Sequence, residues 1–250
     1  MAKKGGSKHL KRLPAPANWP IHRKEFKWVA KPKPGPHSVE RSLPLLLIVR
    51  EILGLVKTRN EAKIMLSAGQ IKVDGRVIRE DDYPVGMMDL IEISSIKKSY
   101  RILPSHRGLK LYTIQENEKD FKLCKIVSKT TTKGGHLQLN LHDGKNVLVK
   151  IAELGHQTED VFSVKDVLKI GIPKNEILAH LKFEKGVLGI VQSGKNAGVL
   201  AEIIKIGKSS RLKTPIELRD LTGHQFETII DYVFPVGKDQ PWINLPEANN

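Results

Sequence analysis

Apolar residues recur along residues 42–95 with two different periods, and the change of period separates helix from strand. Ser42 is placed to cap a helix running to about Leu55, with Pro44 tolerated in its first turn because amides there lack helical partners. Thr58-Arg59-Asn60-Glu61 reads as a T-x-x-E capping box, in which the Thr hydroxyl and the Glu carboxylate satisfy free amides. The helix it opens carries Ala62, Met65 and Leu66 on one face and is expected to end at Gly69 in a left-handed cap. Ile71-Lys72-Val73 then alternates as a strand, Asp74-Gly75 is a type I′ turn signal, and Val77-Ile78 returns. After Pro84, Leu90-Ile91-Glu92-Ile93 predicts another short strand.

From about residue 100 to 175 the pattern is that of short strands. Lys110–Ile114, Leu123–Val127, Leu137–Leu141 and Val147–Ile151 are divided by turn signals such as Gly134-Gly135 and Asp143-Gly144, a spacing that points to a small barrel or sandwich. A second β unit follows from about His180 to Leu245. It holds Val187–Val191, the loop Gly194-Lys195-Asn196-Ala197-Gly198, Val199–Ile206 and Thr228–Phe234.

Charge changes the picture at the N-terminus. The 250 residues carry 42 Lys and Arg against 27 Asp and Glu, a net +15 that points to a polyanionic partner, nucleic acid or an anionic membrane surface. Residues 1–33 hold Lys3, Lys4, Lys8, Lys11, Arg12, Arg23, Lys24, Lys27, Lys31 and Lys33 against Glu25 alone. Six prolines, from Pro14 to Pro36, forbid a continuous helix. Such a segment is expected to bury too little apolar surface to order itself in water. It reads either as a solvated tail or as an arm that orders on a polyanion. Trp19, Phe26 and Trp28 favour the arm, since their rings can stack on bases or ribose; His9 lies among its cations.

The basic residues beside the second helix are informative through their placement. Lys57, Arg59 and Lys63 flank a helix start whose amides and dipole attract phosphate, and Lys72 and Arg76 lie on the adjoining hairpin. The alternative is a solvated face of scattered charges.

The stretch Leu55–Ala62, followed by Ala68–Val77, resembles the S-four RNA-binding domain, in which two helices and a β-turn hold structured RNA. The resemblance implies that Lys57, Thr58, Arg59, Asn60, Lys63 and Arg76 face RNA. Asp74 stands where an asparagine is common, which weakens the turn's contact with phosphate. Gly186–Val199 resembles the KOW motif, with Lys195 and Asn196 as donors and glycines that let backbone approach RNA closely. Lys8–Arg12, Gly35-Pro36-His37, Tyr83–Asp89, Lys122–Lys125, His142-Asp143-Gly144, Val233–Lys238 and Pro241–Pro246 occur in order. This collinear set is similar to the small-subunit ribosomal protein four family of the archaeal and eukaryotic type. The end just after Pro246, without a basic tail, leads us to expect the archaeal form.

The expected architecture is therefore α+β: a basic, extended, Pro-rich arm over residues 1–36, a small α/β S-four-like RNA-binding domain over 37–100, a central β-rich domain over 101–175, and a C-terminal SH3-like β-barrel with the KOW motif over 176–250. The resemblance implies a structural role in the body of the small ribosomal subunit, with ribosomal RNA and neighbouring ribosomal proteins as partners.

Other chemistries find little support. A single cysteine, Cys124, removes disulfide frameworks and Cys-based zinc sites and points to a reducing, cytoplasmic location. The longest apolar run, Leu43–Val49, is too short for a membrane span, and the N-terminus lacks a secretory h-region. Gly207-Lys208-Ser209 resembles the end of a P-loop, but Glu202 stands where glycine is required. The nine histidines show no metal-ligand spacing, Asp81-Asp82 reads as a turn, and Cys124 is expected to be buried or neutral. S-four domains also accompany pseudouridine synthases and a tRNA synthetase, yet no G-R-L-D-like setting follows Gly75-Arg76. A KOW-containing transcription factor is a further alternative, against which the basic arm and the S-four-like unit argue. The expectation is a non-enzyme with no cofactor, metal, membrane or small-molecule substrate.

Overall fold

The computed structural model describes residues 7–150, 161–208 and 213–245; Lys3, Lys4, Ile151, Ser209 and Pro246 of the sequence reading lie outside them. The N-terminal segment folds onto the chain's own core. Strands β1 (Leu10–Lys11) and β2 (Trp28–Val29) pair antiparallel, with Leu10 opposite Val29 and Lys11 opposite Trp28. Ala15, Trp19 and Val29 are buried against Leu43, Val49, Leu66 and Ile91. The Arg12 guanidinium, 1% exposed, pairs with Glu51, and Arg23 donates to the carbonyls of Leu13, Ala15 and Pro16 at 2.8–3.0 Å. The segment is thus neither a solvated tail nor an arm waiting for a polyanion. It lacks an apolar core of its own but completes that of residues 43–102, and Arg23 satisfies backbone acceptors that the prolines leave without helical partners.

The expected helix from Ser42 is displaced. Ser42–Pro44 forms strand β3, whose Ser42 hydroxyl donates to the Ser38 carbonyl at 2.8 Å rather than capping a helix. The residue before a proline is held out of helical geometry, so coiling begins only with α1 (Leu45–Leu47) and continues as a π-helical turn, Ile48–Ile52. The amides of Leu45 and Leu46 instead donate to Tyr83 and Asp81, at 3.0 and 2.8 Å. Helix α2 (Arg59–Ser67) has the expected capping box, and Gly69 follows it at φ +72°.

Strands β4 (Ile71–Val73) and β5 (Arg76–Val77) form the expected hairpin, with Asp74 and Gly75 both at positive φ. Strand β6 (Pro84–Gly86) pairs with β3, and β7 (Leu90–Ile93) lies beside β4. Strands β8 (Lys98–Ser105) and β9 (Gly108–Thr113) extend the same sheet, in order β5-β4-β7-β8-β9, so the pairing runs across the boundary expected at residue 100.

Strands β10 (Phe121–Thr131), β11 (Leu137–Leu141), β12 (Asn146–Val149), β13 (Val167–Gly171) and β14 (Ile177–Leu181) form the central sheet in order β12-β11-β10-β13-β14. The boundary expected at 175 falls inside the β13–β14 hairpin. Strands β15 (Leu188–Val191), β16 (Leu200–Ile206), β17 (Pro215–Asp220), β18 (Gln225–Ile229) and β19 (Val233–Gly237) make a third antiparallel sheet in order β18-β17-β16-β15-β19. Its core, centred on Ile190, Ile203, Leu218 and Phe234, is continuous with Phe121, Leu123 and Val167 of the central sheet. The α+β expectation thus shifts to a mostly β protein.

Candidate nucleic-acid interface

The β1–β2 pair has one apolar side and one basic, aromatic side. Val29 enters the core, while Trp28 points outward and is 52% exposed. The ammonium groups of Lys27 and Lys11 lie 5.6 and 6.0 Å from its ring centroid, and the His9 ring 5.8 Å away. Beside the indole opens a cavity of about 590 Å³, walled by Lys8, His9, Trp28 and Lys31 of the arm and by Arg50 and Arg59 of the helical segment. Asp82 supplies a carboxylate to the same wall. The arm and the helical unit, separate basic features in the sequence, here share one surface. Lys24 is exposed on the loop between β1 and β2.

Several candidates are committed elsewhere. Trp19 is 3% exposed and faces the core, so its ring is not a stacking surface. Arg12 and Arg23 are occupied by Glu51 and by backbone carbonyls. The Thr58 hydroxyl accepts from the Glu61 amide at 3.2 Å, and the Glu61 carboxylate accepts from the amides of Lys57 and Thr58 at 2.9 and 3.4 Å. The Lys57 amide, foremost among these donors, holds the Glu61 carboxyl below its ordinary range. The start of α2 is therefore a closed cap, not an open anion cradle. Its side chains remain outside: Lys57, Asn60 and Lys63 are exposed, and Arg59 gives its Nε to Asp81 at 2.5 Å while its guanidinium stays half exposed.

The hairpin turn is also directed inward. Asp74 accepts from the Leu90 amide at 3.1 Å and from the Nζ of Lys122 and Lys145 at 2.8 and 3.1 Å. Arg76 is exposed and Lys72 half-buried. In the glycine loop Lys195 is exposed and Asn196 half-buried. Gly198, at φ +89°, lies so close to the end of β8 that a Cβ would stand 2.8 Å from Ser105 Cα, which fixes the loop against the first sheet.

Comparison with known proteins follows these features along the chain. The RS4NT (NUC023) domain matches residues 4–40, the S4 domain 45–91, and "Ribosomal family S4e" 96–177. Small ribosomal subunit protein eS4 of Staphylothermus marinus is 47% identical over 250 residues, covering 99% of each chain. That of Desulfurococcus amylolyticus is 46% identical with the same coverage. This chain belongs to the ribosomal S4e family. The crystal structure of 30S ribosomal protein S4e from Thermoplasma acidophilum is similar to it, with a TM-score of 0.65 and 30% identity, covering 79% of this chain and 96% of that one.

In this S4e chain Lys122 joins the first sheet to the central one. Its buried ammonium pairs with Asp74, Asp89 and Asp143, and His37 Nε2 lies 3.0 Å from Asp89. Burial opposes the lysine's charge, but the carboxylates, Asp89 first, hold its pKa well above the ordinary value. Burial likewise opposes ionisation of Asp143, yet Lys122, His142 and Lys145 bring its pKa down to about 2. Cys124, His142 and Asp143 stand close enough to suggest a metal site, but their donors are taken. The Lys125 amide donates to His142 Nδ1 and His142 Nε2 faces the Met87 carbonyl, both at 3.2 Å, while Lys122 occupies Asp143. Burial pushes the Cys124 thiol well up, so it is neutral, as its sequence setting predicts, and no nucleophile.

Sequence reasoning did not single out Arg50 and counted Lys31 only toward the net charge. Arg50 and Glu51 together interrupt an otherwise apolar helical run, and that interruption was the available sign.

Proposed function

We propose that this chain is a structural, non-catalytic constituent of the small ribosomal subunit that binds ribosomal RNA through the surface shared by the arm and the helical unit. The carrying observation is the cavity that brings Lys8, Lys31, Arg50 and Arg59 beside Trp28. Lys11, Lys24 and Lys27 extend the basic surface along the arm, and Lys57, Asn60 and Lys63 extend it along α2. Affinity comes mainly from neutralising phosphates and releasing counterions, with shape selecting the site. Lys72 and Arg76 on the hairpin and Lys195 and Asn196 in the glycine loop give secondary contacts. The third sheet acts as an SH3-like barrel carrying a KOW motif, and surfaces away from the basic face meet neighbouring ribosomal proteins. The relatives' names, which place those proteins in the small ribosomal subunit, support this reading.

The test is sedimentation of cell lysate through a sucrose gradient, with the protein followed by immunoblot at low and high salt. Comigration with the small subunit that survives moderate salt and vanishes after RNase treatment is the expected result. A protein found mainly at the top of the gradient overturns the reading.

A further inference from the structure

We propose that the cavity between the arm and the helices is a subsite for one unpaired nucleotide, with the base stacked on Trp28 and its phosphate held by Arg50 and Arg59. The inference rests on the RNA-binding reading above and adds to it a specific, base-dependent contact.

Size, chemistry and rigidity converge on this ligand. The cavity's volume of about 590 Å³ lies within the ~300–1,000 Å³ usual for small-molecule sites. That space suits a single extruded nucleotide rather than a duplex. Its aromatic wall is the half-exposed indole of Trp28, a ring suited to stacking on any base once the flexible lysine side chains beside it swing to the flanking phosphates. Trp28 is held in place because β2 pairs with β1 and its neighbour Val29 is buried in the core. Little ordering is left for binding to impose.

The charged wall fits a phosphate. Arg59 commits its Nε to Asp81, and Arg50 commits one terminal nitrogen to Glu51 at 2.6 Å. Each guanidinium thus keeps further donors in the planar fork that matches phosphate oxygens. Lys11 and Lys27, now resting near the indole, are within a side chain's reach of the phosphates that flank a stacked base. Asp82 offers an acceptor for a base amino group.

The experiment uses the full chain and two fluorescein-labelled probes followed by anisotropy: hexa-adenylate, and a hexamer of abasic ribose phosphates with the same charge. Binding to small-subunit ribosomal RNA is measured in parallel. The wild-type chain is expected to prefer hexa-adenylate by about tenfold or more, the scale of stacking one base on an aromatic side chain. Trp28→Ala, a half-exposed position whose loss should leave the thermal midpoint little changed, is expected to erase that preference, and Trp28→Tyr to restore most of it. Equal binding of the two hexamers by the wild-type chain, or a preference that survives Trp28→Ala, overturns the subsite and leaves the RNA-binding reading standing. Failure to bind ribosomal RNA at all overturns both.

Discussion

Asp74 accepts a 2.8 Å hydrogen bond from the Nζ of Lys122, a residue 48 positions further along the chain. The turn that its family resemblance assigns to RNA therefore also fastens the first sheet to the central one. Lys122 serves Asp89 and Asp143 as well, and all four side chains are nearly or fully buried.

Removing the lysine takes from three buried carboxylates the one cation they share, leaving only Lys145 beside Asp74 and Asp143 and His37 beside Asp89. Lys122→Met is expected to cost about 3–5 kcal/mol, the usual penalty for breaking a buried pair from one side, read from the urea denaturation midpoint. Lys125 lies on the same strand and is also buried, but it donates to the Val233 carbonyl at 2.7 Å instead of a carboxylate. Burial and the neighbouring Lys165 bring its pKa down to about 7. Lys125→Met is accordingly expected to cost only about 1 kcal/mol, the scale of one hydrogen bond. Equal losses for the two variants contradict the assignment.

Stability should fall on mild acidification because of His142. Burial first, then Lys122, lowers its folded pKa to about 4 from an ordinary 6.5. The unfolded chain takes up this proton near pH 6.5 and the folded chain refuses it until about pH 4. The stabilisation is thus fully present above 6.5 and is lost as pH falls through that window, by about 3 kcal/mol in total. Asp143 acts further down, its contribution present above an unfolded value of ~3.9 and lost as pH falls to about 2. Urea denaturation at pH 7, 5.5 and 4.5 should show the first slope, and His142→Gln should flatten it.

The arm is expected to behave as part of the fold. Trp19→Ala removes a large buried ring and should destabilise the protein by about 3–5 kcal/mol, whereas Trp28→Ala, at a half-exposed position, should shift the thermal midpoint little. A chain truncated to begin at Pro36 exposes Leu43 and Val49 and loses Arg12, the buried partner of Glu51. It should melt well below the full-length protein. An unchanged midpoint would show the arm to be a mere appendage.

Several of these features were legible in the sequence. The T-x-x-E box, the Asp74-Gly75 turn and the strands at Ile71–Val73 and Leu90–Ile93 state their geometry locally and appear where their residues place them. The single strand expected over Thr228–Phe234 is instead split by a 3-10 turn, Ile230–Tyr232, between β18 and β19. What escaped depends on distant partners. Strand β8 was hidden because its buried positions include Ser99 and Arg101, the latter donating through Nη2 to the carbonyls of Glu118 and Phe121. The arm looked unfoldable because its apolar contacts lie in residues 43–102, beyond any local window. For the same reason Trp19 and Trp28 looked alike, although one is core and the other surface.

Salt should report how many arm cations meet phosphate. Each phosphate neutralised contributes ~0.7–0.9 to the slope of log affinity against log salt. Replacing Lys8, Lys11 and Lys27 together by Ala is expected to flatten the slope for small-subunit ribosomal RNA by about 2, without a change in thermal stability since all three are exposed. Filter binding between 50 and 300 mM salt measures it, and an unaltered slope would remove the arm from the RNA surface.

The arm's dependence on later residues carries a consequence for biogenesis. Translation delivers Arg12, Trp19 and Val29 before Glu51, Leu66 and Ile91, against which they pack. At ~5–20 residues per second, a nascent chain exposes an unshielded polycation for several seconds. During that interval any nearby RNA competes with the chain's own core for the arm, so a binding factor that covers residues 7–36 until Ile93 has emerged would raise the yield of correctly folded protein.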